Sequence, residues 1–283
     1  MNRAGYWFIM MIVFHFLSGF VSAAERDCSR DVVCLITEKR GNTIVFQGQN
    51  LQTYEVTVTL EFPQLLNITV DAKIPLTATL PGRKKVKLCR ISPRIKGKRW
   101  RYRYKYHWVR GSIHAEHDDA YVYSLPYAPG TSFRIIQGFF GTFSHHDKHA
   151  LDWNMPEGTP VLAARGGVVV AVESKFVVGK HDPDYKTRAN YVILKHDDGT
   201  YADYYHLRKG GVIVRLGQTV KTGQCIGYSG NTGYSNGPHL HLQVYKAENG
   251  LKQITYPIRF DTAQGYDIEL QEGEKYTAGE SYE

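Results

Sequence analysis

The stretch Gly237-Pro238-His239-Leu240-His241-Leu242-Gln243-Val244 alternates polar and apolar side chains from the first histidine onward. Successive side chains of an extended strand point to opposite faces, so His239 and His241 share a face and can enter one cleft. A buried histidine pair is costly unless its nitrogens are hydrogen-bonded or metallated. Working outward, Pro160-Val161-Leu162-Ala163-Ala164, Gly167-Val168-Val169-Val170-Ala171-Val172 and Tyr191-Val192-Ile193-Leu194 are further short apolar runs between glycine turns. None shows a sustained helical period, which predicts an antiparallel β domain with its site on the sheet and rim loops.

Two other elements carry the same kind of chemistry. Ser144-His145-His146-Asp147-Lys148-His149-Ala150-Leu151-Asp152 packs three histidines and two aspartates into nine residues. Imidazole nitrogen and carboxylate oxygen are the donors a zinc site takes. Tyr204-Tyr205-His206-Leu207 places another histidine at the end of an apolar strand.

A chain of 283 residues can hold more than one domain. Arg3, the apolar run Tyr6 to Phe20 and the small residues Val21-Ser22-Ala23-Ala24 read as a signal peptide over 1–24, with a core too short for a membrane span. The mature protein is therefore expected in a secreted or periplasmic setting, where Cys28, Cys34, Cys89 and Cys225 can oxidise. Cys28 with Cys34 or Cys89 would staple the first domain, and Cys225 can equally be a small buried residue. No cysteine spacing fits a zinc finger.

The formal net charge of +8 is unevenly spread. Arg83 to Arg110 holds 13 Lys/Arg and no acid, whereas Asp261 to Glu283 holds 7 acids and one lysine. A basic surface suits anionic wall polymers, a membrane or nucleic acid. Residues 42–123 are strand-like, and Trp100-Arg101-Tyr102-Arg103-Tyr104-Lys105-Tyr106-His107-Trp108 sets rings on one face and charges on the other. That pattern is an aromatic core face opposite a solvated one. A nucleic-acid reading is set aside because a leader precedes it. Tyr123-Ser124-Leu125-Pro126-Tyr127-Ala128-Pro129-Gly130 reads as a linker, and 261–283 as an acidic tail.

From Ile135 to Val244 the chain resembles the lysostaphin-type (LytM-like) zinc metallopeptidases. The resemblance rests on Ser144-His145, Ala150-Leu151-Asp152-Trp153, Met155 to Val161, Ala163 to Val168, His196 to Thr200, Tyr204 to Leu207 and Gly223 to Gly233 running on to Gly237-Pro238-His239-Leu240-His241. It implies an all-β protein: a β-sandwich-like N-terminal domain at 25–126, then a glycine-rich antiparallel peptidase domain (duplicated hybrid motif) at 127–260. It implies one Zn2+ per chain, held by His145, Asp152 and His241. His206 and His239 would be catalytic, with Tyr204 a weaker candidate for steadying the oxyanion. Many relatives place the first ligand four residues before the aspartate, which is Lys148 here, and an ammonium cannot bind a metal. His145 fits a longer version of the motif, with His146 and His149 as alternatives.

The resemblance thus implies an exported zinc endopeptidase acting on peptidoglycan cross-links, with no stable membrane span. The alternative is a non-catalytic relative that binds wall or activates another hydrolase. A cytoplasmic phosphocarrier of related architecture conflicts with the leader. Asn67-Ile68-Thr69 fits a glycosylation sequon, which a bacterial source would make a chance match.

Overall fold

The computed structural model describes residues 24–279. The leader expected over 1–24 therefore lies, but for Ala24, outside the described residues. Among the described residues the regular elements are strands and one 3-10 turn at Pro183–Tyr185, and no helix is long and apolar enough to cross a membrane. The chain divides into two compact units. One takes the chain up to His114 with Ala247–Gln253; the other takes Ala115–Lys246 and the chain from Ile254.

In the first unit a five-stranded sheet runs in the order Glu25–Ser29, Val33–Arg40, Thr43–Asn50, Lys85–Pro93, Ile68–Val70. A three-stranded sheet runs Leu76–Leu80, Val56–Leu66, Arg101–Arg110. Leu35, Ile44, Phe46 and Ile91 of the larger sheet and Leu60 and Tyr104 of the smaller belong to one buried cluster. The alternating aromatic stretch supplies part of it. Tyr102, Tyr104 and Tyr106 belong to or pack against this cluster, and Phe46 meets Tyr104 edge-on with centroids 5.3 Å apart. Of the pairings the sequence left open, Cys28–Cys34 is the disulfide, formed between directly opposed strand residues. Cys89 is buried, and that burial pushes its thiol up to about 12.

The second unit is organised by a sheet in the order Thr219–Val220, Gly167–Glu173, Asn190–Lys195, Tyr201–Leu207, Leu240–Ala247, Ala150–Trp153, Ser132–Gln137, Lys275–Thr277. All these pairings are antiparallel. Leu151, Trp153, Leu240, Leu242 and Tyr204 turn one face into the core. The opposite side of the same strands carries Asp152, His241 and Tyr205, as the period of two requires.

Two stretches read from sequence as peripheral are structural. Tyr123, Leu125 and Tyr127 lie in this core rather than in a linker, and the Tyr127 hydroxyl donates to Tyr276 O at 2.9 Å. Their own period-two alternation was masked by the intervening Pro126 and the Pro129-Gly130 that follows. The acidic segment is not a tail as far as Gly279. Lys275–Thr277 pairs with Ser132–Gln137, and Leu270, Tyr276 and Ala278 are buried. Its acids occupy the positions between apolar ones, so charge counting alone misread it.

Candidate functional site

The register across three neighbouring strands builds the site. Asp152 lies directly opposite His241, and His241 directly opposite Tyr205, so three side chains form a row across the sheet. His145 reaches this row from the preceding loop. Its Nε2 is 3.2 Å from His241 Nδ1 and 3.4 Å from Asp152 Oδ1, and His241 Nδ1 is 2.8 Å from that same oxygen. These three residues are a group that could hold a metal ion, each offering one ligand atom.

The alternatives for the first position separate clearly. His146 is exposed. His149 turns its Nδ1 to Thr255 O at 3.0 Å and packs on the rings of Phe139 and Phe140. His145 is 1% exposed and joins Asp152 and His241.

Backbone carbonyls fix which nitrogen of each ring faces the site. A carbonyl can only accept, so a ring nitrogen bonded to one must carry its proton there. His145 donates from Nδ1 to Gly138 O (3.0 Å), His206 to Thr232 O (2.7 Å) and His239 to Gly237 O (2.8 Å). In the neutral ring each Nε2 is left with a lone pair. The His206 and His239 rings lie 4.3 Å apart, and His206 lies 6.0 Å from His241.

A bulge explains how His206 reaches that face. Asn190 pairs with Leu207 and Tyr191 with Tyr205, so His206 is the extra residue, and its φ of 69° lies in the left-handed region. Without the bulge, strict alternation would send His206 to the core face beside Tyr204. Bulges re-aim side chains in this way beside active sites. Tyr204, expected as a helper at the oxyanion, is placed elsewhere. It pairs with Leu242 on the core face, is fully buried, and its hydroxyl accepts from Ala164 N at 2.8 Å. Tyr205, one residue on, is the tyrosine beside His241, with rings 6.2 Å apart.

Gln137 is a site residue that the sequence reading missed. A second bulge pairs Ile135 with Trp153 and Gln137 with Asp152, leaving Ile136 as the extra, exposed residue. Gln137 Nε2 donates to Asp152 Oδ2 (2.7 Å) and to Ser144 Oγ (2.9 Å). Its Oε1 accepts from Phe143 N (3.0 Å) and Ser144 N (2.8 Å). One amide thus ties the carboxylate to the loop that carries His145. A Cβ on Gly141 would lie 2.4 Å from Gln137 Cγ, so only glycine fits beneath it. No local signal in the sequence marks this glutamine.

Electrostatically, His206 and His241 are held neutral beside one anion. Burial, with His239 and His241 nearby, pushes His206 down to about 3. Burial pushes His241 down to about 4 against the opposing pull of Asp152. Burial acts to raise Asp152, but hydrogen bonding and charge interaction with His145 and His241 hold its carboxyl well below the usual carboxylate range.

The chain is similar in sequence to known proteins. Peptidoglycan DD-endopeptidase ShyA of Vibrio cholerae is 41% identical over 93 residues, covering 33% of this chain and 19% of that protein. Lysostaphin of Staphylococcus simulans is 38% identical over 121 residues, covering 42% of this chain and 22% of that one. Its solved catalytic domain is 28% identical at a TM-score of 0.33, covering 44% of this chain and 87% of that domain. The chain spans only about a fifth of the length of these two full-length relatives. Residues 146–253 match the sequence model of peptidase family M23.

Proposed function

We propose that the chain is an exported zinc-dependent endopeptidase that hydrolyses peptide cross-links of bacterial peptidoglycan. The observation that carries this reading is the convergence of His145 Nε2, Asp152 Oδ1 and His241 Nδ1, 2.8 to 3.4 Å apart, beside two further imidazoles. Ligand atoms ~2.0–2.1 Å from a tetrahedral zinc stand ~3.3 Å from one another, which is the spacing of this triangle. The donor set fits as well. With neutral rings, at most one proton lies among three lone-pair atoms, an arrangement that a cation completes and that protons alone leave crowded.

One Zn2+ would be held by His145, Asp152 and His241. When bound, it supplies a water acidified to a pKa of ~7 and polarises the scissile carbonyl. The remaining steps fall to the chain. His206 and His239 face the site through Nε2, each held by a backbone carbonyl at Nδ1. One of the pair takes the proton from the attacking water on Nε2 and hands it to the leaving amine; the other steadies the developing oxyanion only as the imidazolium, with a proton on Nε2. The strained backbone at His206 is consistent with a side chain kept in place for chemistry.

The substrate reading rests on the names of ShyA and lysostaphin, and on the basic charge, which suits anionic wall polymers. Export is supported by the leader sequence and by the Cys28–Cys34 disulfide, a bond that persists in secreted or periplasmic proteins. The test is digestion of purified peptidoglycan followed by mass spectrometry of the fragments, with and without a chelator. Cross-linked muropeptides should be cut at one peptide bond, with loss on chelation and return on adding zinc. Intact cross-links in the presence of stoichiometric zinc would refute the enzyme and favour a binding module.

A further inference from the structure

The first unit carries an apolar tip ringed by cations that the proposed chemistry does not use. Leu65 and Leu66 close the strand Val56–Leu66 and are 41% and 53% exposed; Ile95, in the loop after Lys85–Pro93, is 56% exposed. Ile95 is tied to the end of this strand, next to Leu66, through Asn67. Asn67 Oδ1 accepts from Ile95 N (2.9 Å), and Asn67 Nδ2 donates to Ile95 O (3.1 Å). Arg94 N donates to Asn67 O (3.1 Å). A single side chain thus grips both backbone groups of Ile95 beside Leu66. Trp100 stacks on Tyr102 with centroids 6.0 Å apart. The sequon at Asn67 is accounted for by this clamp, since its amide is already engaged with the loop.

The rim is strongly positive. Arg94-Ile95-Lys96-Gly97-Lys98-Arg99-Trp100-Arg101-Tyr102-Arg103 contains six Lys/Arg and no acid. Arg94, Lys96, Lys98 and Arg99 are exposed and in no ion pair with a described residue. Single exposed leucines are ordinary on a protein surface. Leu66 and Ile95, linked through Asn67 among these cations, are a different feature. A hydrated anionic polymer would answer the charges and leave the apolar groups in water. A bilayer with anionic headgroups answers both, since phosphates meet the cations while the apolar side chains enter the headgroup boundary. We propose that this tip docks the protein on the surface of a bilayer rich in anionic phospholipid. The proposal does not depend on the peptidase reading.

The test is co-sedimentation of the chain from Ala24, which contains every described strand, so that the apolar leader adds nothing. Vesicles of phosphatidylcholine are compared with vesicles carrying about 30% phosphatidylglycerol, and the latter should bind about tenfold or more tightly at low salt. Lys96→Glu/Lys98→Glu should remove that difference. Leu66→Ser/Ile95→Ser should weaken binding to the anionic vesicles about tenfold while leaving binding to soluble polyphosphate unchanged. An unchanged melting temperature shows that this variant is folded. Equal binding to both vesicle types overturns the proposal. So does a Leu66→Ser/Ile95→Ser variant that binds anionic vesicles like the parent, a result that would assign the tip to a soluble anionic polymer.

Discussion

Gln137→Leu removes the amide that links Asp152 to the His145 loop while nearly keeping its volume. Four hydrogen bonds are lost, from 2.7 to 3.0 Å, at a residue only 5% exposed. The amides of Phe143 and Ser144 lie at a half-exposed edge where water can replace Oε1. Asp152 Oδ2 is buried, and the bond it loses is charge-assisted, worth about 1.5–3 kcal/mol. That energy is spent on orienting the carboxylate, so zinc affinity should fall about 10- to 150-fold. Competition for zinc against a chromophoric chelator measures this directly, and melting of the metal-free protein reports separately on the fold. Gln137→Glu should be worse, because a second carboxylate would face Asp152. Gly141→Ala should mimic part of the loss by displacing Gln137. If Gln137→Leu binds zinc within about threefold of the parent, less than 1 kcal/mol, the glutamine does not orient the ligand and the argument fails.

Three further outcomes are expected. Asp152→Ala and His241→Ala should each lose metal and activity, whereas His206→Ala and His239→Ala should retain zinc but lose about 10²-fold or more in turnover; a fully active member of either pair contradicts its assigned role. Tyr204→Phe should leave turnover unchanged yet destabilise the fold by about 1–3 kcal/mol, since Ala164 N–H loses its buried acceptor; parallel urea melts and assays of muropeptide cleavage separate the two effects. His196 is 2% exposed and donates from Nδ1 to Gly166 O, and burial pushes it down to about 4. Its unfolded value is ~6.5, so the unfolded chain binds the extra proton and stability is lost as pH falls from ~6.5 to ~4, by roughly 3 kcal/mol in all. His196→Asn, which can still donate to Gly166, should flatten that part of a urea-midpoint profile, and an unchanged slope would rule out His196 as its source.

What the sequence determined by itself was local and periodic. Alternation put His239 and His241 on one face, and it made Trp100 to Trp108 a core-facing aromatic strand, because side-chain direction in a strand depends only on parity. The same parity rule failed where the strands bulge. His206 is aimed at the site by an extra residue that breaks alternation, and Gln137 meets Asp152 only because Ile136 is left over. A bulge depends on pairing with a distant segment, so no window of sequence contains it. Tertiary structure also chose His145 over His146 and His149, and Tyr205 over Tyr204 as the ring beside His241. Asp152 and His241 are 89 residues apart in the chain, and only the register of two antiparallel strands sets them face to face. Residue type announced which side chains could do the chemistry; long-range pairing decided which of them meet.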